Sequence, residues 1–313
     1  MSPIIYPEFR LYDPHAVQAL LDTGGSLISE EQRNYYAKMI VAGGTRKLRL
    51  PTETDRFRTL DEECPNFHAV TGEIRGALTL ARIEDRPLRL PPILLLGKPS
   101  IGKTHYARTV TEVLGLDFSY ISMSSATASW IIGGGHPTWQ NAGAGKVSRT
   151  LIEQRFANPW FLIDEIDKVS AEAKYDPLGS LYELFEPDTA GMFSDEFVGI
   201  PCDASYCNWF ATANDERDIS LPILKRMLVM EIPDPNPAQM RVIARNLYLQ
   251  ISADYPKSRF DEQLSEAVLQ RLAELTPRDI RMVLRSAFGT AAAEKRQYLN
   301  PNDIRLVGQR GRR

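Results

Sequence analysis

The chain is poor in the residues that staple small folds or hold metals. Its 313 residues include three cysteines and four histidines. Cys64, Cys202 and Cys207 are odd in number and form no C-x-x-C pair, which excludes an even disulfide framework. The histidines fall at no zinc-ligand spacing. No apolar run approaches the ~18 residues of a membrane span, and Met1-Ser2-Pro3-Ile4-Ile5-Tyr6-Pro7-Glu8 lacks the charged-then-apolar pattern of a secretory leader. Net charge is only -3, so nothing global draws the chain to nucleic acid or to an acidic membrane. The single local basic excess is the tail Gln309-Arg310-Gly311-Arg312-Arg313, expected to be a solvated end. A reduced, cytoplasmic protein away from membranes is expected. With 43% hydrophobic and 25% charged residues, the chain has material for about two ordinary globular domains.

The most informative stretch is Gly97-Lys98-Pro99-Ser100-Ile101-Gly102-Lys103-Thr104. It follows the apolar run Pro92–Leu96 and precedes a helical pattern from Tyr106 to Leu114. G-x-x-x-x-G-K-T between a strand and a helix is a phosphate-binding loop. Its glycines let backbone N–H groups converge on phosphates at the positive end of the next helix. Lys103 is expected to reach the terminal phosphates, and the Thr104 hydroxyl to hold Mg²⁺.

About sixty residues on, the run Trp160-Phe161-Leu162-Ile163 ends in Asp164-Glu165. Four apolar residues closed by two acids read as a buried parallel strand delivering carboxylates to its C-terminal end. Taken alone, the pair could be a helix cap and a solvated acid. After a phosphate loop, Asp164 is expected to bind Mg²⁺ directly or through water, and Glu165 to polarise the attacking water. A further strand, Asn208–Ala213, ends at Asn214. In a doubly wound sheet that asparagine lies beside the phosphate-loop strand and within reach of the γ-phosphate.

Other strands are expected at 117–122 and 228–232, with a short hairpin at 192–201. Helices are expected at 14–21, 29–41, 67–83 and 176–185. Asp234-Pro235-Asn236-Pro237 then breaks the chain and caps a helix at 238–249, followed by helices at 264–275 and 278–295. The α/β core is thus expected over 66–232 and a small all-helical domain over 233–313. Residues 1–65 are read as an N-terminal helical extension packing on the core or on a partner. The glycine-rich stretch Trp130–Gly145 is too long for an ordinary spacer, and Trp139 is placed at its exposed tip.

In combination these residues resemble the AAA+ ATPases, and within them the ATPase module of Lon proteases. The likeness rests on the phosphate loop, Ile163-Asp164-Glu165-Ile166-Asp167-Lys168, Asp176-Pro177, Phe193-Ser194-Asp195, Ala211-Thr212-Ala213-Asn214 and Pro222-Ile223-Leu224-Lys225-Arg226-Met227. The resemblance implies a P-loop α/β core with a five-stranded parallel sheet flanked by helices, followed by a helical lid. It implies Asn214 as sensor 1 and Arg226 as an arginine finger reaching a neighbour's ATP. It implies Arg278 as sensor 2, with Arg281 the alternative. ATP and Mg²⁺ are the implied cofactors, and a homo-oligomeric ring, usually hexameric, the implied assembly. Gly135-His136 with Thr138-Trp139 is similar to the family's pore loop, which makes Trp139 a candidate substrate contact.

The sequence also departs from the family. Residues 233–313 are expected to hold the helical lid and no Ser–Lys peptidase, and residues 1–65 are expected not to form the family's large N-terminal substrate domain. Gln140 stands where the family has an aliphatic residue, and Lys225 where it has Asp. ATP hydrolysis without intrinsic proteolysis is therefore expected, serving protein remodelling or threading. Two alternatives are a nucleic-acid motor or loader, for which only Lys146 and Arg149 lie near the loop, and a nucleotide-gated interaction scaffold.

Overall fold

Apolar runs rich in branched and aromatic residues become strands buried on both faces. The structure is a computed structural model that describes residues 6–50, 57, 59–124, 130–139, 142–169, 177–256 and 259–305. Residues 1–5, Gln140, Asp176 and the basic tail at 309–313, to which expectations were attached, lie outside the described residues.

The strands are β1 (Glu8–Arg10), β2 (Thr45–Lys47), β3 (Ile93–Leu96), β4 (Phe118–Ser122), β5 (Trp160–Asp164), β6 (Phe193–Ser194), β7 (Pro201–Cys202), β8 (Asn208–Ala213) and β9 (Leu228–Glu231). Five of them form one sheet in the order β4-β5-β8-β3-β9. Every neighbouring pair in it is parallel. This is the five-stranded parallel sheet, flanked by helices, that the phosphate-loop architecture requires. Parallelism puts the C-terminal ends of β3, β5 and β8 on one edge, where open α/β sheets bind ligands. Ala213 pairs with Leu96, so Asn214 leaves β8 beside the point where β3 gives way to Gly97.

The chain resolves into two units. The first comprises Met1–Phe57, Gly72–Leu96 and Ala107–Glu231, and contains the nine strands found among the described residues. Its core joins Phe161, Ile163, Trp209 and Ala211 of the sheet to Leu11, Tyr12, Val17, Tyr36 and Met39 of the N-terminal segment. Phe161 stacks on Trp209 with ring centroids 4.6 Å apart. β1 and β2, each only three residues long, pair antiparallel and frame the helices Pro14–Thr23 and Glu30–Ala42. The second helix starts at a capping box, in which the Ser29 side chain accepts from the Gln32 N–H and Gln32 reaches back to the Ser29 N–H.

The second unit comprises Arg58–Thr71, Gly97–Tyr106 and Ile232–Arg313. Its three longest helices begin as the sequence signals require: Pro237–Ser252 after an Asn236 cap, Glu266–Ala273 after Ser265, and Pro277–Ala293 after Thr276. Leu247, Val268, Leu272, Ile280, Leu284 and Phe288 form its apolar centre. After Asn300 the chain makes a single 3-10 turn, Pro301–Asp303. Among the described residues no helix is long and apolar enough to cross a membrane.

Candidate functional site

The phosphate loop takes the backbone shape its glycines license. Gly102 lies at φ 104° and Ser100 at φ 67°, both in the left-handed half of conformational space. A Cβ at Gly97 would sit 2.7 Å from the Ile232 carbonyl oxygen, so only glycine fits there. The helix Lys103–Val113 begins immediately after Gly102, and its first backbone bond runs from the Tyr106 N–H to the Gly102 carbonyl at 2.8 Å. The positive end of the helix dipole therefore favours an anion at the loop. The Lys103 side chain is 8% exposed, and its ammonium donates to the carbonyls of Gly97 at 2.5 Å and Lys98 at 2.9 Å. Lys98 itself pairs with Asp234. Within the same unit, Phe67 stacks on Tyr106 with ring centroids 4.3 Å apart, bracing the helix that carries Lys103 and Thr104.

The acidic pair sits at the end of β5 in the sheet unit. Asp164 is fixed by two hydroxyls. Thr212 donates to its Oδ1 at 2.6 Å and Tyr120 to its Oδ2 at 2.9 Å. The same Thr212 hydroxyl accepts from the Glu165 N–H at 2.9 Å. Glu165 itself is left-handed, at φ 57° and ψ 50°, so the chain turns sharply where the second carboxylate leaves the strand. Asn214 is held by its N–H, which donates to Asp167 Oδ2 at 3.0 Å. Sequence reasoning missed Tyr120, Thr212 and Asp167 as parts of this arrangement. Thr212 lies two positions before Asn214 and Asp167 two after Glu165, but Tyr120 is near no expected site residue in sequence and reaches Asp164 only because β4 lies beside β5.

These donors fit a magnesium ion bound together with phosphates. Such an ion takes hard oxygen ligands, keeps several waters and uses only one or two protein groups. Among the described residues no cluster of three or more His, Cys, Asp or Glu could cage a metal without phosphate. In the sheet unit, the Asp164 carboxylate is an oxygen ligand of this kind. Cysteine chemistry has no foothold here, because all three cysteines are buried. Burial pushes the Cys202 thiol up to about 12 and the Cys207 thiol well above its ordinary value, so neither is a thiolate near neutral pH.

Arg226, in the sheet unit, forms an ion pair with Glu186 at 3.0 Å and donates to the Pro222 carbonyl at 2.8 Å. Its guanidinium lies over the Tyr182 ring. Arg278 is exposed in the first turn of the helix Pro277–Ala293, whereas Arg281, one turn on, is partly buried. Burial, together with the neighbouring Arg285, lowers the pKa of Arg281.

The loop around Trp139 corrects one expectation. Trp130–Gly133 is one turn of helix, and the breaking glycines begin only at its end. Trp139 is half-buried rather than exposed at a tip. Its N–H donates to the His136 carbonyl at 2.9 Å and its carbonyl accepts from Ala142 at 3.2 Å. His136 accompanies it, with ring centroids 6.4 Å apart.

The family model for the ATPase family associated with various cellular activities (AAA) matches residues 93–233, the segment from β3 to just past β9. Similar curated proteins include the peroxisomal Lon protease homolog 2 of Kluyveromyces lactis, 37% identical over 168 residues covering 51% of this chain and 17% of that protein. Lon protease 1 of Thermus thermophilus is 31% identical over 230 residues, 72% of this chain and 28% of that protein. The chain thus spans well under a third of these relatives' length. Among solved structures, a mutant of Thermotoga maritima RuvB superposes with a TM-score of 0.54 at 15% identity, over 82% of this chain and 71% of that one. At that identity the likeness is one of fold alone. Phosphate loop, sheet order and family match agree: residues 93–233 match the AAA family, and this part of the chain is similar to the ATPase module of Lon proteases.

Proposed function

We propose that the chain binds ATP with Mg²⁺, hydrolyses it, and couples the cycle to remodelling or threading a protein client. The observation that carries this reading is the Thr212 bridge. One hydroxyl fixes the Asp164 carboxylate and the Glu165 backbone together at the edge where β3 enters the phosphate loop. A bound magnesium ion would neutralise phosphate charge as the γ-phosphoryl group transfers. The chain's own residues do the rest. The loop N–H groups and Lys103 bind phosphate, Thr104 and Asp164 supply the metal's protein oxygens, and Glu165 orients and deprotonates the attacking water. Asn214 is assigned to sensing the γ-phosphate and Arg278 to sensor 2. The protein contributes positioning and charge stabilisation rather than covalent chemistry.

Residues 66–232 serve in this reading as the nucleotide-binding core, 233–313 as the lid, and 1–65 as an N-terminal helical extension. Arg226 completes a neighbour's site, which makes the active form a homo-oligomeric ring, hexameric by family analogy, working in the cytoplasm. Trp139 is assigned to client contact, and no peptide-bond cleavage is assigned to these 313 residues. The test is the ATPase rate with no addition, with an unfolded protein, with single-stranded DNA and with double-stranded DNA. Stimulation by the unfolded protein alone is expected. Stimulation by DNA alone would make the protein a nucleic-acid motor, and no turnover under any condition would make it a scaffold.

A further inference from the structure

The two described ends of the glycine-rich segment, 133–139 and 142–145, meet at a neck that rests on one buried carboxylate. Asp195, 1% exposed, accepts from the Gly145 N–H at 2.7 Å through Oδ2. Its Oδ1 accepts from the N–H groups of Phe197 at 2.9 Å and Val198 at 3.2 Å. The neck is tied twice more by backbone, from the Glu196 N–H to the Gly133 carbonyl at 2.9 Å and from the Gly135 N–H to the Gly143 carbonyl at 3.1 Å. Gly134, at φ 81°, lies flat against the carboxylate, and a Cβ there would fall 2.0 Å from Asp195 Oδ1. The two sides of the neck therefore converge on Asp195 because the residues facing it lack side chains.

The other side of the same dipeptide belongs to the N-terminal segment. Gln32 Nε2 donates to the Phe197 carbonyl at 2.9 Å, and the Tyr36 hydroxyl donates to the Val198 carbonyl at 2.9 Å. Tyr35 packs edge-on against the Phe197 ring, with centroids 6.1 Å apart. Gln32 and Tyr36 are both buried, at 6% and 2% exposure. Phe197–Val198 is thus clamped on its N–H side by the loop's anchor and on its C=O side by the helix Glu30–Ala42.

We propose that Asp195 is a positioning residue for the loop carrying His136 to Trp139, and that the helix Glu30–Ala42 is the brace holding Asp195's other partners in place. Through that brace the N-terminal segment sets where the loop stands. Burial is the larger effect on the Asp195 carboxylate and raises its pKa, and the three N–H groups offset part of that penalty only while the clamp is closed. Removing one clamp bond should then be felt at the far end of the chain of contacts, not only where the bond was. The importance of the loop for a client rests on the proposed function above; its positioning does not.

Hydrogen exchange followed by mass spectrometry on the full chain tests this. Asp195→Asn places an NH₂ donor where the carboxylate accepts, and Tyr36→Phe removes one hydroxyl while keeping the ring. Leu78→Ala, a buried residue outside this core cluster, controls for general destabilisation. We expect both clamp variants to speed exchange in peptides covering 133–145 by about tenfold, with Leu78→Ala leaving that ratio unchanged at matched melting temperature. Loosening confined to 195–198, or equal loosening in Leu78→Ala, would overturn the proposal. If Asp195→Asn does not fold, Tyr36→Phe and Gln32→Leu carry the test, and wild-type loop exchange in both would refute the brace. Loop loosening with undiminished stimulation by unfolded protein would leave the positioning intact and reject the client-contact reading instead.

Discussion

Thr212 donates to Asp164 Oδ1 at 2.6 Å, a hydroxyl on β8 holding a carboxylate on β5. Tyr120 holds the other oxygen from β4, but Tyr120 is itself exposed, so water replaces it at small cost. Thr212 is 2% exposed and has no such substitute. Thr212→Val, equal in shape, should raise the Mg²⁺ concentration for half-maximal turnover by about 10–100-fold, the usual cost of removing a partner that orients a metal ligand. Tyr120→Phe should shift it by several-fold less. A Mg²⁺ titration of ATPase activity measures both, and an unchanged midpoint in Thr212→Val would remove Asp164 from the metal site.

The loop and the acid should separate by assay. Lys103→Ala is expected to abolish tight ATP binding by isothermal titration. Glu165→Gln should keep ATP binding near the wild-type level and stop turnover. Unchanged ATP affinity in Lys103→Ala would sink the phosphate-loop assignment.

Arg226 is committed within its own chain to Glu186. If it serves a neighbour's nucleotide, that pair must open on assembly. Arg226→Ala should bind ATP normally and hydrolyse it ~10³–10⁵-fold more slowly, the range for such fingers in related phosphoryl transfers. Glu186→Gln should release the arginine and lower the protein concentration at which turnover per subunit plateaus. Light scattering that finds a fully active monomer would rule the ring out.

Trp139, half-buried beside His136, has less free surface than an exposed tip would offer. If the ring swings out to a client, Trp139→Ala should bring the ratio of protein-stimulated to unstimulated turnover down to one, with a melting temperature near wild type. If its role is packing, truncation costs roughly 3–5 kcal/mol and stimulation survives. The two assays on this one variant separate the outcomes.

Ser100 occupies a left-handed position in the phosphate loop, at φ 67°. A residue with a Cβ loses about 1 kcal/mol or more there relative to glycine. Ser100→Gly should therefore raise the midpoint of chemical denaturation with nucleotide affinity preserved, and a lowered midpoint would show that the serine side chain supplies a compensating contact.

The parts of the site that could be read from the sequence were those written in consecutive residues. Gly97–Thr104 carries its own strand and helix context, and Trp160–Glu165 carries both its burial and its charges. What could not be read depends on register. Tyr120, Thr212 and Asp167 matter because β4, β5 and β8 lie side by side, and hydrophobic runs do not encode which strands are neighbours. The three-residue strands β1 and β2 are too short to show a period of two. The glycines around Trp139 read as looseness because the carboxylate that closes their neck lies 50 residues away in the chain.

Glu165 stands in a left-handed backbone conformation, where asparagine and glycine are more at ease than glutamate. The position where the reading needs its general base is thus also one where the chain gives up stability to keep that residue. Screening for heat resistance alone would favour Glu165→Gly and Glu165→Asn, and the hardiest survivors of such a screen would be those that had stopped turning over ATP.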